Sequence, residues 1–371
     1  MNKDDIKWLE AEARRLIAAC RSVSVDGTPI YSPDASGKFV GTWIRDFAYM
    51  VEGCPGAVPA SELAEIIETM IGGLLPDGTP PNKYMASGRF AYTVKGCGNK
   101  PPTDNPQYLI RLVFQHAELT ADFSLFLRHA QALERALGSL PLDNSGYLIW
   151  NDPTDPHPGY GFTDAIAKSG CELFSSVLLW EAHLLMQSLY IATGDTVEAD
   201  RHAHLASQTR SALSVLWDES SGAFFAATVD CRQIDIWGSA YAVKRGITTP
   251  KQAESVSRFL VEKYDAYIKE GMARHIVEAE GWNRLLTPMD AGDSQNGGYW
   301  GVPCGWIAKA ISITNPDLAE RLLDSLLDSY KTHGVYEWIN NKERDNLDYV
   351  ASASLPLVDA VELLASKLPA S

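Results

Sequence analysis

The 371-residue chain has no apolar run approaching the ~18 residues of a membrane-spanning helix. Basic residues are scarce: 32 Lys and Arg stand against 47 Asp and Glu, a formal net charge of -15. Such a field repels phosphate backbones and anionic lipid, so neither nucleic acid nor a membrane is an expected partner. A polyanionic polysaccharide is also a less natural substrate, unless a local Arg or Lys cluster overrules the overall charge. The six cysteines (Cys20, Cys54, Cys97, Cys171, Cys231 and Cys304) are scattered, with no C-x-x-C pair and no zinc-type Cys/His grouping. They read as free buried thiols of a cytosolic protein, with disulfides of a secreted protein as the alternative. The Gly-x-Gly-x-x-Gly and P-loop patterns that cradle phosphates are missing, as are Ser and Cys nucleophile motifs and His-x-x-x-His spacing. No cofactor and no metal are therefore expected. Low-complexity segments are absent, and Asp4, Asp5, Glu10, Glu12, Arg14 and Arg15 interrupt any signal-like apolar core near the start, so the expected location is cytoplasmic. Nothing in the pattern fixes an oligomeric state.

What the chain has is 46% hydrophobic and 21% charged residues, enough for a large core. No linker divides it, and residues 1–371 are expected to form a single domain. Helical periodicity runs from end to end: Ile6, Leu9, Ala13, Leu16 and Ile17 share one stripe, as do Leu63, Ile66, Ile67, Met70 and Leu74. Comparable stretches cover about 107–120, 122–138, 166–193, 196–217, 237–245, 250–266, 302–312, 316–331 and 352–367, about a dozen helices in all. Loops rich in Gly and Pro are longer before one helix of each pair than after it, which puts one functional face on the molecule. A hairpin over Tyr84 to Val94, split by Ser87-Gly88, is the one strand pair that stands out.

Six clusters recur at intervals of roughly sixty residues, about the length of one helical hairpin with its loops. They are Trp43-Ile44-Arg45-Asp46, Asp104-Asn105-Pro106-Gln107, Tyr160-Gly161-Phe162-Thr163-Asp164, Gln233-Ile234-Asp235-Ile236-Trp237, Gln295-Asn296-Gly297-Gly298-Tyr299-Trp300 and Tyr336-Glu337-Trp338. Six hairpins closed in a ring would bring the clusters to one face. Aromatic plates, amide forks and carboxylates together suit a sugar: stacking for its C–H face, hydrogen bonds for hydroxyls, acids for chemistry. The fold expected is an all-α (α/α)6 toroid with long loops on the active face.

Glycosidic cleavage uses one protonated and one ionised carboxyl. Asp164 follows Tyr160-Gly161-Phe162-Thr163, whose two aromatics could desolvate it and raise its pKa; the competing reading is a cap for a helix beginning near Ala165. Glu337 is bracketed by Tyr336 and Trp338, and the bland alternative is a solvated loop carboxylate. Arg45 and Asp46 could fork onto two hydroxyls or form a buried ion pair. Asp235 and Trp237 fit either cleft or core. Gln295, Asn296, Tyr299 and Trp300 read as a subsite wall, and His157, His275 and His333 fall near the same loops.

The chain resembles the six-hairpin glycosidase superfamily, which includes glucoamylases, trehalases and processing α-glucosidases. The resemblance rests on Trp43-x-Arg45-Asp46, Tyr160-Gly161-Phe162-x-Asp164, Asp235-x-Trp237-Gly238, Tyr299-Trp300-Gly301-x-Pro303 and Tyr336-Glu337, spread over nearly the whole chain. It implies that Asp46 recognises substrate, Asp164 is the general acid and Glu337 the base of an inverting hydrolysis, with a glucoside or short oligosaccharide as the expected substrate; the loop lengths point to a pocket closed on one side and hence to exo-action. Trp43, Arg45, Asp104, Gln107, Tyr160, Phe162, Asp235, Trp237, Gln295, Asn296, Tyr299, Trp300, Tyr336 and Trp338 are the further candidate substrate-binding residues. Glucoamylases usually carry Glu where Asp164 stands, and the N-terminal β-sandwich of several relatives has no counterpart here. A sugar epimerase or isomerase on the same toroid, using histidines for proton transfer at carbon, and a non-catalytic glycan-binding protein are the alternatives.

Overall fold

The computed structural model describes residues 2–365. Its helices are α1 (Lys3–Cys20), α2 (Ile44–Gly53), α3 (Ala60–Gly72), α4 (Asn105–Thr120), α5 (Ser124–Gly138), α6 (Leu173–Thr193), α7 (Thr196–Ala212), α8 (Ile236–Arg245), α9 (Pro250–Glu262), the single turn α10 (Tyr264–Tyr267), α11 (Cys304–Ile311), α12 (Pro316–His333) and α13 (Val350–Ala365). Helices α2, α4, α6, α8, α11 and α13 contact one another in that order, and α13 closes back onto α2. Helices α3, α5, α7, α9 and α12 pack outside them, and α1 covers α13. This is the (α/α)6 toroid that the periodicity predicts.

Burial explains the two rings. Inner helix α6 is buried over nearly its whole first half, Leu173 to His183, whereas outer helix α12 is amphipathic and buries Leu318, Leu322, Leu323, Leu326 and Leu327 on one side. Helix ends follow local chemistry. Asn2 and Thr249 open α1 and α9 with capping boxes, and Gly194 and Gly246 close α6 and α8 in the left-handed conformation.

Two expectations are corrected. Helix α6 begins at Leu173 rather than 166, because Gly170 (φ +81°) turns the chain and residues 170–171 pair with residues 150–151 as a short ladder. Strands are also more numerous than the sequence suggests. Fourteen short ones form five small antiparallel sheets among the described residues. Most are two or three residues long, too short for alternation to register as a pattern. The hairpin near residue 84 is present as strands 83–85 and 90–91, and strand 41–43 joins it so that Trp43 pairs with Lys83. The largest sheet joins 268–269, 272–273, 299–300, 336–339 and 344–347, pairing Trp300 with Trp338. The six cysteines are free and buried. Among the described residues no helix is long and apolar enough to cross a membrane.

The inner ring closes through small residues. A Cβ on Gly53 would lie 2.3 Å from the Ser354 carbonyl oxygen, so α2 and α13 touch backbone to backbone. Gly53→Ala is expected to force these helices apart and lower stability by about 1–3 kcal/mol, read as a reduced urea midpoint. An unchanged midpoint would contradict this account of ring closure.

Candidate active site

The six inner helices run parallel. Trp43, Arg45 and Asp46 at the start of α2, and Tyr349 just ahead of α13, line a cavity of about 470 Å3. At the opposite end of the barrel, Glu52 from α2, Arg111 from α4, Glu181 from α6 and Arg245 from α8 surround a second depression. The main cavity therefore faces the positive ends of the inner helix dipoles, which favour negative charge there.

One ion pair organises its wall. Arg45 Nε donates to Asp104 Oδ2 at 2.6 Å and Nη2 to Oδ1 at 3.1 Å, with both side chains buried. Asp104 stands at the start of α4 but does not cap it; its Oδ2 also accepts the Gly161 N–H at 2.9 Å. That bond ties the loop carrying Phe162 and Asp164 to α2 and α4. Gly161 has to be glycine, since a Cβ there would fall 1.6 Å from Arg45 Cζ. Burial alone would lower the Arg45 pKa, but Asp104 and Asp46 outweigh it and hold the guanidinium charged.

Asp164 lies in the cavity wall and caps no helix: it closes a single 3-10 turn over Gly161–Thr163, upstream of α6. Its Oδ1 accepts from Gln295 Nε2 at 2.8 Å. Burial pushes its carboxyl up to about 6, against the opposing pull of Arg45 and Gln295. Glu337 sits on strand 336–339 and is buried at 9% exposure, so it is no solvated loop carboxylate. Its Oε2 accepts from Asn346 Nδ2 at 2.9 Å. Burial raises it to about 8, with Asn346 and Lys38 opposing and Asp46 and Asp345 adding to the rise. Asp46 is also raised by burial, and its Oδ1 accepts from Tyr349 OH at 2.6 Å.

Of the residues that the sequence singles out, the cavity brings together Trp43, Arg45, Asp46, Phe162, Asp164, Gln295, Trp300 and Glu337. Phe162 and Trp300 are stacked at 5.6 Å and form an aromatic floor. The others lie elsewhere. Asp104 sits behind Arg45; Gln107 donates to the Thr103 carbonyl; Tyr160 stacks on Phe174 at 3.8 Å within the core. Asp235 caps α8 through the Gly238 N–H at 2.8 Å, and Trp237 stacks on His275 at 3.5 Å. Asn296 accepts the Trp282 N–H, Tyr299 lines a separate cavity of about 200 Å3, and Trp338 is buried beside the half-buried Tyr336. None of His157, His275 and His333 lines the main cavity.

Sequence reasoning missed Lys38, Phe39, Asn82, Lys83, Lys95 and Tyr349, all of which line the cavity. Tyr349 occupies the position before α13 that Trp43 occupies before α2, a signal hidden because the last helix reads as starting at 352. Asn346, which holds Glu337, is left-handed (φ 55°), a conformation that Asn tolerates better than most residues. Among the described residues the one metal-like cluster is Glu134, Glu198 and His202 on outer helices α5 and α7. Arg201 pairs with both carboxylates at 2.6 Å and already supplies the cation.

No protein-family model matches the chain, and no curated protein does. Solved structures do match in fold. A GH63 mannosylglycerate hydrolase from Thermus thermophilus, in complex with Tris and D-glycerate, superposes with a TM-score of 0.66 at 12% identity, covering 94% of this chain and 99% of its own. A rhamnosidase from Klebsiella oxytoca with rhamnose bound gives 0.69 at 12% identity over 98% of this chain and 65% of its own. A glycosidase variant in complex with glucose gives 0.66 at 13% identity over 98% and 99%. The chain shares the (α/α)6 fold of these glycosidases.

Glu337 sets a pH-dependent stability. Folded, it holds its proton up to about pH 8, whereas its ordinary value is 4.5. The native state therefore binds more protons across that window, and stability falls as pH rises through it. Glu337→Gln removes the slope. The variant is expected to match wild type below pH ~4 and to exceed it by roughly 2–4 kcal/mol near pH 7, measured by urea unfolding at each pH. A gap independent of pH would contradict the assigned burial.

Proposed function

We propose that this protein is a glycoside hydrolase acting by inversion, with Asp164 and Glu337 as its two catalytic carboxyls and residues 1–371 as a single catalytic domain. The observation that carries the reading is that both carboxyls face one aromatic-floored cavity and both are raised by burial, to about 6 and about 8. Between those values Glu337 carries a proton and Asp164 does not, so the empty site holds one protonated and one ionised carboxyl, the pair that acid–base hydrolysis uses. Arg45 and Asp46 would bind hydroxyls of the terminal sugar, and Phe162 and Trp300 its C–H face. Glucose and rhamnose bound in glycosidases of the same fold support a sugar as ligand. Long loops gathered on one face suit exo-action on a glucoside or short oligosaccharide, and the free thiols suit a cytoplasmic location.

Asp164 remains partly open to the cavity, so a docked sugar dries it further and raises it more; we give it the acid's role and Glu337 the base's. One observation favours the opposite roles: in the empty cavity Glu337 holds its proton more tightly. A glycosyl fluoride separates the two, since fluoride departs without protonation. Asp164→Asn is expected to lose about a thousandfold on O-glycosides while keeping most of its fluoride hydrolysis, and Glu337→Gln to lose both. The reversed pattern would exchange the roles, and wild-type rates in both variants would dismiss the pair.

The pH profile is a second check. The singly protonated pair exists mainly between the two values, so kcat/KM should follow a bell with limbs near about 6 and about 8. Activity rising steadily beyond pH ~9 would be incompatible with an acid that must keep its proton.

A further inference from the structure

Among the described residues, two lysines that line the cavity, Lys83 and Lys95, have no carboxylate within ion-pair distance. Strand pairing sets Lys83 directly opposite Trp43, and its Nζ lies 4.3 Å from the Trp43 ring centroid. It is half-buried, burial lowers its pKa, and no neighbouring charge offsets that cost. Lys95 is exposed on the segment that follows the hairpin and lines the same mouth. That segment is held at both ends: Tyr92 OH donates to the Gly73 carbonyl at 2.6 Å, and Thr287 Oγ1 donates to the Gly96 carbonyl at 2.6 Å. Lys38, which also lines the cavity, does pair with a carboxylate, Asp345 at 2.5 Å, as do Lys100 with Asp155 at 2.8 Å and Lys331 with Asp5 at 2.6 Å elsewhere in the chain.

Nor do Lys83 and Lys95 serve the catalytic carboxyls. The cations acting most strongly on Asp164 and Glu337 are Arg45 and Lys38. A half-buried ammonium without a carboxylate, on a rigid ladder beside an aromatic plate, costs stability and is compensated when an anion binds. The chain's net charge of -15 makes a positive mouth contrary to the average field. It acts where a ligand's outer end would lie, because Asp164, Glu337 and Arg45 occupy the interior.

We propose that Lys83 and Lys95 recognise an acidic aglycone, a carboxylate or phosphate ester carried on the leaving group of the glycoside whose sugar docks at Asp164 and Glu337. This rests on the glycosidase reading above. The charged group stays outside, paired with the two ammonium groups. The glycosidic oxygen lies inside, and water cleaves the bond to give the free sugar and a hydroxy acid or hydroxyalkyl phosphate.

The test compares three glucosides that differ only at the end of the aglycone: 2-hydroxyethyl, carboxymethyl and 2-phosphoethyl. For the wild-type chain, kcat/KM is expected to be about tenfold or more higher for an anionic member than for the neutral one, and to fall toward the neutral value as salt rises. Which anion gains more identifies carboxylate or phosphate. Lys83→Met and Lys95→Met keep the aliphatic stems, and each should cut the anionic-to-neutral ratio several-fold. A ratio near one, or a ratio that neither variant changes, overturns the proposal while leaving the hydrolase reading intact. If none of the three is cleaved, calorimetric binding of the same three compounds decides it alone: tighter binding of an anion, lost in Lys83→Met, keeps the anion site and dismisses these glucosides as substrates, and equal or absent binding overturns it.

Discussion

The bidentate pair between Arg45 and Asp104 is the contact on which the site depends. It joins the first two inner helices, and through the Gly161 N–H it fixes the loop that presents Phe162 and Asp164. Burying such a pair gives little net stability, because desolvation of both ions consumes most of the Coulombic gain. What it gives is position. Arg45 is left with its other face toward Asp46 at 3.9 Å and the Phe162 ring at 5.7 Å, so one guanidinium orients two carboxyls and one aromatic plate. A helix-capping role for Asp104 has been given up for this purpose.

The same division of labour runs through the barrel. At the cavity end of the parallel inner helices, carboxyls collect where the helix dipoles favour them, yet burial keeps Asp46, Asp164 and Glu337 raised. At the other end Arg111 and Arg245 lie against Glu52 and Glu181, where cations suit the negative helix termini. Glu52 is there held down to about 2 by Arg245 and Arg111 despite its burial. Both ends bury carboxylates, but only the cavity end leaves them short of cations. That shortage keeps a proton in the site at neutral pH, at a cost in stability that the large core offsets.

Much of this is legible in the sequence, for a physical reason. Apolar stripes at helical spacing report burial directly, so eleven of the twelve long helices stand out in the periodicity. The twelfth, α2, is foreshadowed only by the dense cluster at its start, since its residues Ile44 to Val51 are buried on every side and show no stripe. The clusters ahead of the inner helices likewise point to one face. Their residue types do not say how deep each side chain goes. Tyr160 and Trp237 carry the same signal as Phe162 and Trp300, but they stack on Phe174 and His275 in the interior. That choice is made by closure of the ring, not by neighbours in sequence. Lys83 was unreadable for a related reason: it reaches the mouth by pairing with Trp43 across a three-residue strand. Glu337, by contrast, was readable because the aromatics beside it are adjacent in the chain.

The most direct test of the central claim, that Asp164 and Glu337 act as acid and base in a single-displacement hydrolysis, is the anomeric configuration of the first product. Proton NMR during the opening minutes of hydrolysis, before mutarotation, reads it. Release of sugar with inverted configuration is the predicted result. Sugar released with retained configuration would mean a covalent intermediate and would contradict the assignment of one carboxyl as a base acting on water.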